Sequence, residues 1–251
     1  MNYPGSRSWK GGMRWGIGIL VMMLARFGAV GQQAGSVARM VIWQPKPGMV
    51  RDFEESYKRH LEWHRGKNDS FRWYGWNIVS GDCVGSFADG TFFHGWSDFD
   101  HAVAPAEDSA NNALNVEPYA DVRASMIFEM IPSLSRLDDR NLTTPLLGFY
   151  YFSLSPGSGA EFESIFAVAF RNAGIDTIEH AVFRPVNGTT EYMLLLPAQK
   201  TSEFGVQAAF VAKLLDSVRQ KTQAVPILER LRVETGRYRD DLSYVPGQAA
   251  K

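Results

Sequence analysis

The chain has 251 residues, of which 45% are hydrophobic and 13% aromatic, so it carries enough apolar material for a large folded core. Its 26 basic and 27 acidic residues give a formal net charge of −1, which offers no electrostatic basis for binding nucleic acid or an anionic membrane. The single cysteine, Cys83, excludes an intramolecular disulfide and a cysteine-rich metal site.

The first 31 residues have the pattern of a secretory signal peptide. Basic residues precede the ten-residue apolar run 16–25, which is too short to span a bilayer. Small residues at positions 29 and 31 predict cleavage before Gln32. We expect a periplasmic or secreted protein without a transmembrane segment after signal removal, and an uncleaved N-terminal anchor is the alternative.

The chain contains the same sequence unit twice. Residues 42–61 and 151–170 align without a gap, and both segments carry Pro-Gly, then Phe-Glu, then an aromatic residue at the same spacing. Further along, "DGTFF" falls where "NGTTE" falls in the second unit. We place the first unit at 37–136 and the second at 145–235, followed by a C-terminal tail at 236–251.

Each unit is predicted to have the element order β-α-β-β-α-β. In the first unit, the strand "ARMVIWQ" precedes a helix with apolar residues at helical spacing, the strands "FRWYGWNIVS" and "TFFHGW", a helix in Asp98–Asn115 and the strand "SMIFEMIPSL". In the second, "LLGFYYFSL" and a helix precede the strands "EHAVFRPV" and "TEYMLLL", joined by Asn187-Gly188, a helix in Ser202–Gln223 capped by Ser202, and the strand "ILERLRVETGR".

This order predicts an α+β fold made of two tandem ferredoxin-like units. Each unit would form a four-stranded antiparallel sheet with both helices on one face. The strands are apolar on both faces, so the uncovered sheet faces are expected to be buried as well. The two units are therefore expected to pack sheet to sheet within one chain.

Tandem units with a first strand ending in Pro-Gly and a Phe-Glu-x-x-Tyr/Phe helix resemble the dimeric α/β-barrel superfamily, which includes NIPSNAP proteins and antibiotic-biosynthesis-type monooxygenases. The resemblance covers most of residues 37–235 and implies an intramolecular dimeric α/β barrel, a pseudo-dimer of the two units. It implies no single function, because the superfamily contains monooxygenases, haem-dependent enzymes, isomerases and proteins without known activity.

The stretch "HLEWH" places His60 and His64 four residues apart on the predicted first helix. Glu62 lies on the opposite face of that helix, which excludes the H-E-x-x-H arrangement of zinc proteases. Both histidines fall on the apolar arc, where the second unit has Ala169 and Ala173. They are either packed histidines with satisfied ring nitrogens or the polar lining of a pocket.

No metal site is assigned, because two imidazoles fall short of the three protein ligands of a typical catalytic zinc site. Candidate third ligands are His94, Asp98 and Asp100, none of them fixed by spacing. His94 would approach the pair only from the helix-facing side of its strand, on which alternation also places Phe92 and Trp96. The acidic stretch that ends at Glu107 and Asp108 is interpreted as a solvated loop, since its spacing matches no calcium loop.

The favoured function is that of an exported small-molecule binding or accessory protein. Its pocket would lie in the first unit, which holds every tryptophan beyond residue 31. The candidate binding residues are His60, His64, His94, Trp63, Trp76 and Trp96. The alternatives are a cofactor-independent monooxygenase, a haem- or metal-dependent oxidoreductase, and a purely structural interaction domain. Haem or a divalent metal is compatible with the sequence but not required, and the oligomeric state is left open.

Overall fold

A computed structural model describes residues 35–172, 178–186, 189–222 and 226–247. The proposed signal peptide, the Asn187-Gly188 pair and Ala173 lie outside these residues. The elements of the first half are β1 (Val37–Pro45), α1 (Val50–Gly66), β2 (Tyr74–Ser80), β3 (Phe87–His94), α2 (Trp96–Asp100), α3 (Pro105–Asn115) and β4 (Ala120–Met130). Those of the second half are β5 (Leu146–Leu154), α4 (Gly159–Asn172), β6 (Ala181–Pro185), β7 (Glu191–Ala198), α5 (Phe204–Lys221) and β8 (Leu228–Tyr238).

The eight strands form one closed antiparallel barrel in the order β1-β3-β2-β8-β5-β7-β6-β4. The first half contributes the run β4-β1-β3-β2, and the second half contributes the corresponding run β8-β5-β7-β6. The barrel closes where β2 pairs with β8 and β4 pairs with β6. Closure gives each of these eight strands a partner on both sides. Among the described helices, none has the length and apolar character needed to cross a membrane.

Aromatic and aliphatic side chains fill the barrel interior, which explains why the strands are apolar on both faces. Alternate residues of a strand point to opposite faces, so Met40 and Ile42 of β1 point inward, where they join Trp76, Phe149 and Phe183 in one buried cluster. The outward residues of the first half pack against α1, and those of the second half pack against α4 and α5. The molecule therefore has a central core and two outer layers.

The repeated Pro-Gly pair makes the same turn in both halves. Gly48 and Gly157 adopt positive φ angles of 78° and 84°, a conformation that a residue without a Cβ adopts readily. In each half, the next helix begins two residues after the glycine. The offset of 109 residues is thus kept in the structure, and Phe53 and Phe162 are buried at matching positions.

Two details of the helices were predicted wrongly. Residues 98–115 form two helices instead of one, because Ala104 adopts a left-handed φ of 39° and Pro105 then starts α3. Proline suits the first turn of a helix but not its interior. Ser202 does not cap α5, because residues 201–203 form a short 3-10 helix and no side chain caps the helix that follows.

Cys83 is buried, as expected of a lone small residue. Its neighbours include Arg232, whose Nη1 lies 3.9 Å from the Cys83 sulfur, and the carboxylate of Glu234. Burial, reinforced by the Glu234 charge, raises the pKa of the Cys83 thiol. A raised pKa disfavours the nucleophilic thiolate, so Cys83 is best explained as a packing residue.

Candidate functional site

The histidine pair lies on the buried face of α1. His60 is 5% exposed and His64 is 3% exposed, and both share this face with Phe53 and Tyr57. Glu62 points to solvent on the other side, where it pairs with Arg65. Since residues 60 and 64 are one helical turn apart, their rings meet edge to face, with centroids 4.7 Å apart.

A third polar group reaches the pair from α3. The Nε2 atoms of His60 and His64 are 3.2 Å apart, and Oδ1 of Asp108 lies 3.5 Å from the first and 3.7 Å from the second. The three atoms form a cluster of possible metal ligands. Asp108 was interpreted as part of a solvated loop, and this was wrong because it lies on a helix that packs beside α1 with that carboxylate turned inward.

The outer nitrogens of both rings are held by hydrogen bonds. Nδ1 of His64 lies 2.8 Å from Oδ2 of Asp69, and Nδ1 of His60 lies 2.9 Å from Oδ1 of Asn111. A carboxylate can only accept, so Nδ1 of His64 carries the proton. The Asn111 oxygen also accepts from Nδ2 of Asn115, 3.1 Å away, which identifies it as the acceptor for His60. In both rings, Nε2 is thereby left as the nitrogen with the free lone pair.

Asp69 is held in place by several donors. Its carboxylate also accepts from the Phe71 backbone N–H and the Trp73 indole, each at 3.0 Å, and its carbonyl accepts from the Tyr244 hydroxyl at 2.7 Å. Burial alone would raise the pKa of Asp69, but the hydrogen bonds from His64, Phe71 and Trp73 outweigh it and lower that pKa. Burial and the neighbouring His64 lower the pKa of His60, which favours its neutral form.

A second buried carboxyl group lies next to this cluster, on β3. Oδ2 of Asp89 accepts from the Trp43 indole at 2.7 Å and from the Tyr57 hydroxyl at 3.0 Å. Burial raises the pKa of Asp89 to about 6, although both hydrogen bonds oppose the rise. Asp89, Tyr57, His60, His64 and neighbouring residues enclose a small cavity of about 40 Å³, here called the inner chamber.

The inner chamber adjoins a wider cavity of about 410 Å³ between the outer face of β1 and β4 and the segment 99–112, here called the outer pocket. The two cavities share His64, Asp108 and Trp73 in their walls. The aromatic residues that line the outer pocket are Trp43, Phe71, Trp73 and Phe99. Arg39 adds a positive charge and Glu117 a negative one. The outer pocket thus combines aromatic walls with a polar inner end.

His94 does not join the histidine pair. Phe93 adopts a left-handed φ of 65°, and β1 and β3 shift register beside it. The irregularity breaks the predicted alternation: Phe92 and Phe93 both pack against the interior core, and His94 turns to the outer face, where its ring lies 4.0 Å from that of Phe71. Its Nε2 hydrogen bonds to Thr91. Burial lowers the pKa of His94.

The three candidate tryptophans are at separate places. Trp63 stacks almost parallel on His60, with centroids 6.2 Å apart. Trp76 is fully buried in the barrel interior, and Trp96 is 50% exposed at the start of α2. Asp98 bonds to the Gly95 backbone N–H at the start of the same helix. The predicted set therefore divides into His60, His64 and Trp63 at the cluster and the remaining three residues elsewhere.

Sequence reasoning missed the carboxylates of Asp69, Asp89 and Asp108. A signal exists for Asp89, which is a charged residue in the middle of the strand "FADGTFF". Another exists on α3, where Asp108, Asn111 and Asn115 recur at helical spacing. Asp69 follows the last turn of α1 and carries no such pattern. Its position depends on the turn that brings residue 69 back to His64.

His60 and His64 do not fit haem ligation. A porphyrin needs open space on all sides of the ligating nitrogen, whereas Nε2 of His60 and Nε2 of His64 face each other at 3.2 Å with Asp108 beside them. We therefore assign no haem-dependent step to these residues.

No family model matches the chain, and no curated protein is similar to it in sequence. Solved structures are similar in fold. A proposed monooxygenase from Fusobacterium nucleatum matches with a TM-score of 0.57 and 8% identity over 82% of this chain and 93% of its own. A proposed chlorite dismutase matches with a TM-score of 0.55 and 12% identity over 83% of this chain and 97% of its own. An anthrone oxidase-like protein matches with a TM-score of 0.53 and 10% identity over 86% of this chain and 96% of its own. These neighbours are dimeric α+β barrel proteins, so the comparison supports the predicted α+β barrel fold, while identities this low establish neither a superfamily nor a function.

Proposed function

We propose that the protein binds a small, planar organic molecule in the outer pocket and that the inner chamber supplies the polar groups that act on it. The observation that carries this proposal is the junction of the two cavities. Aromatic side chains form the walls of the outer pocket, and buried ionisable groups lie where it meets the inner chamber. A cavity that combines apolar ring surfaces with convergent polar groups can serve as a small-molecule site.

The walls favour a ligand with an aromatic ring and an oxygen substituent. Trp43, Trp73 and Phe71 offer ring surfaces for stacking. Arg39 and Asn112 offer hydrogen-bond donors to a hydroxyl or carbonyl oxygen. At about 410 Å³, the outer pocket is of the size that takes a compact organic molecule.

A direct binding measurement tests this function. The probes are anthrone, chosen because one structural neighbour is an anthrone oxidase-like protein, and 2-naphthol. Val122 of β4 lines the outer pocket and is 53% exposed, whereas Val233 of β8 is 40% exposed and lies outside that pocket. We expect Val122→Phe to weaken binding at least about tenfold, equivalent to 1.4 kcal/mol, and Val233→Phe to leave it unchanged. Equal affinities in both variants would exclude the outer pocket.

The second candidate function is oxidation of the bound molecule by dioxygen, and the position of Asp89 favours it. A general base works best with a pKa near the operating pH, and the pKa of Asp89 is about 6 in the inner chamber. Asp89 would accept the proton from an acidic C–H group. With anthrone, one dioxygen would yield anthraquinone and one water, so oxygen uptake measures the reaction. Loss of uptake in Asp89→Asn with unchanged anthrone binding is the expected result.

A purely structural domain is the remaining alternative. It predicts that neither probe binds and that substitutions in the outer pocket alter stability alone. The buried carboxylates oppose this alternative, because a buried charge costs stability that an apolar core would not lose.

We further propose that each half of the barrel is a ferredoxin-like unit, because the order of elements and the order of strands recur in both halves. Kinship to NIPSNAP proteins remains part of this proposal. Export to the periplasm or the medium rests on the sequence of residues 1–31, and comparison of the N-terminal sequence of the mature protein with Gln32 tests it.

A further inference from the structure

We infer that Nε2 of His60, Nε2 of His64 and Oδ1 of Asp108 form a three-ligand site for one divalent transition-metal ion. This site goes beyond the proposed ligand binding, and its assay requires no organic molecule. Its basis is the arrangement of the three atoms, the direction of their lone pairs and the space beside them.

The spacing of the three atoms matches a metal centre. Their separations of 3.2, 3.5 and 3.7 Å define a circle with a radius of about 2.0 Å, so an ion close to their plane would lie about 2.0–2.2 Å from each atom. Zinc–nitrogen and zinc–oxygen bonds have these lengths. Any three atoms are equidistant from some point, so the indication of a metal centre is the short radius, which equals a metal–ligand bond length.

The lone pairs point to the same place. Nδ1 of His60 and Nδ1 of His64 donate to oxygen atoms of Asn111 and Asp69, so both Nε2 atoms carry unprotonated lone pairs and lie 3.2 Å apart. Two lone pairs at 3.2 Å repel unless a cation lies between them. The hydrogen bond from a ligating histidine to a carboxylate or amide oxygen is the usual outer support of a metal site.

A shared proton explains less of this arrangement than a metal ion does. A proton between the two imidazoles would account for the 3.2 Å contact, but it would leave Asp108 at 3.5 and 3.7 Å, outside normal hydrogen-bond distance. A divalent ion would engage all three atoms at once.

The surroundings are suited to a cation with an open coordination position. Asp69, Asp89 and Asp108 all lie at this cluster, and within the described ranges none of them forms an ion pair with a lysine or arginine. The inner chamber beside the ligand atoms has about 40 Å³, enough for a water molecule or two. Two imidazoles and one carboxylate favour Zn²⁺ or Fe²⁺ over Ca²⁺ or Mg²⁺, which prefer oxygen ligands.

The second half of the barrel provides an internal comparison. Helix α4 has the same position and start as α1, and its buried residues are all apolar. Ala169, which corresponds to His60 at the offset of 109 residues, is among them. The fold therefore does not require an imidazole at this position.

Metal binding to the purified full-length protein tests the inference. The apoprotein, prepared with a chelator, is titrated by calorimetry with Zn²⁺, with Mn²⁺ and, without oxygen, with Fe²⁺. We expect one equivalent to bind to the wild type. Asp108→Asn and His60→Ala should weaken binding by more than about 100-fold, and Asp69→Asn, which changes the support of His64 but none of the three proposed ligands, by about 10–100-fold. The control Asp100→Asn changes an exposed carboxylate on α2 and should bind like the wild type.

Cobalt gives a spectroscopic readout that a structural role would not produce. Bound Co²⁺ should show visible d–d absorption in the wild type and in Asp100→Asn, but not in Asp108→Asn. If His60→Ala does not fold, the near-isosteric Asp108→Asn still decides the question. Failure of the wild type to bind any of the three ions, or equal affinity in Asp108→Asn, would overturn the inference. Neither outcome bears on anthrone binding in the outer pocket.

Discussion

Replacement of Asp89 by asparagine should remove a loss of stability that the wild type undergoes as the pH rises. The pKa of Asp89 rises from 3.8 to about 6 on folding, chiefly through burial. A carboxyl group with a raised pKa stabilises the fold below its unfolded pKa, and this contribution is lost as the pH rises through the folded pKa. A rise of this size corresponds to about 3 kcal/mol. The asparagine side chain of the variant keeps an oxygen for the Trp43 and Tyr57 donors but has no charge to bury.

The assay is urea denaturation of the wild type and Asp89→Asn between about pH 4 and pH 8, with chelator present. We expect the free energy of unfolding of the variant, relative to the wild type, to increase by about 2.5 kcal/mol across this range, because the unfolded carboxyl group is already partly ionised at pH 4. Arg39 and His64 act electrostatically on the Asp89 charge in the wild type alone, and the pKa of about 6 already contains their effects. Asp216→Asn removes an exposed carboxylate on α5 and should give a flat difference. A flat or falling difference for Asp89→Asn would refute the reasoning.

Three further predictions concern the same half of the barrel. Zn²⁺ at about 100 times its dissociation constant should stabilise the wild type by about 2.7 kcal/mol, which raises its melting temperature by about 5–10 °C. Scanning calorimetry should find this rise in the wild type and not in Asp108→Asn. Tyr57→Phe, which removes a donor to Asp89, should cost about 1.5–3 kcal/mol at pH 8 and less at pH 4, and equal costs would contradict the ionised carboxylate. In urea denaturation, Gly81→Ala should lower the free energy of unfolding by about 1–3 kcal/mol more than Gly85→Ala does. A Cβ at Gly81 would meet backbone and carboxylate oxygens, whereas a Cβ at Gly85 would have open space. Similar losses in the two variants would mean that the turn adapts.

Most elements of the fold could be predicted because its signals are local and occur twice. Strands such as "LLGFYYFSL" are rich in β-formers, and both helices that follow Pro-Gly have clear helical periodicity. The predicted strands correspond to β1–β8 with shifts of a few residues at their ends. The two local predictions that were wrong each depend on the backbone angle of a single residue. The left-handed φ at Ala104 divides one predicted helix into two, and the same conformation at Phe93 separates His94 from Phe92, with which it was predicted to share a face. Neither residue type favours this conformation.

The candidate site was only half predictable, because half of it depends on tertiary packing. Helical periodicity placed His60 and His64 on one buried face. No spacing in the sequence relates residue 64 to residue 108, because the loop between α2 and α3 sets the direction in which α3 crosses α1. Asp108 therefore looked like part of a solvated loop, although its carboxylate lies 3.7 Å from His64.

The contrast between the two halves indicates where the molecule tolerates a cost in stability. The buried residues of α4 are all apolar, whereas those of α1 include Ser56, His60 and His64. Tyr57, matched by Phe166 in the second half, donates its hydroxyl to a buried carboxyl group. Buried polar groups cost free energy unless every one of them has a partner. Helix α4 shows that an apolar face suffices to pack a helix on this barrel, so the polar groups beneath α1 are better explained by the chemistry proposed for the inner chamber than by packing.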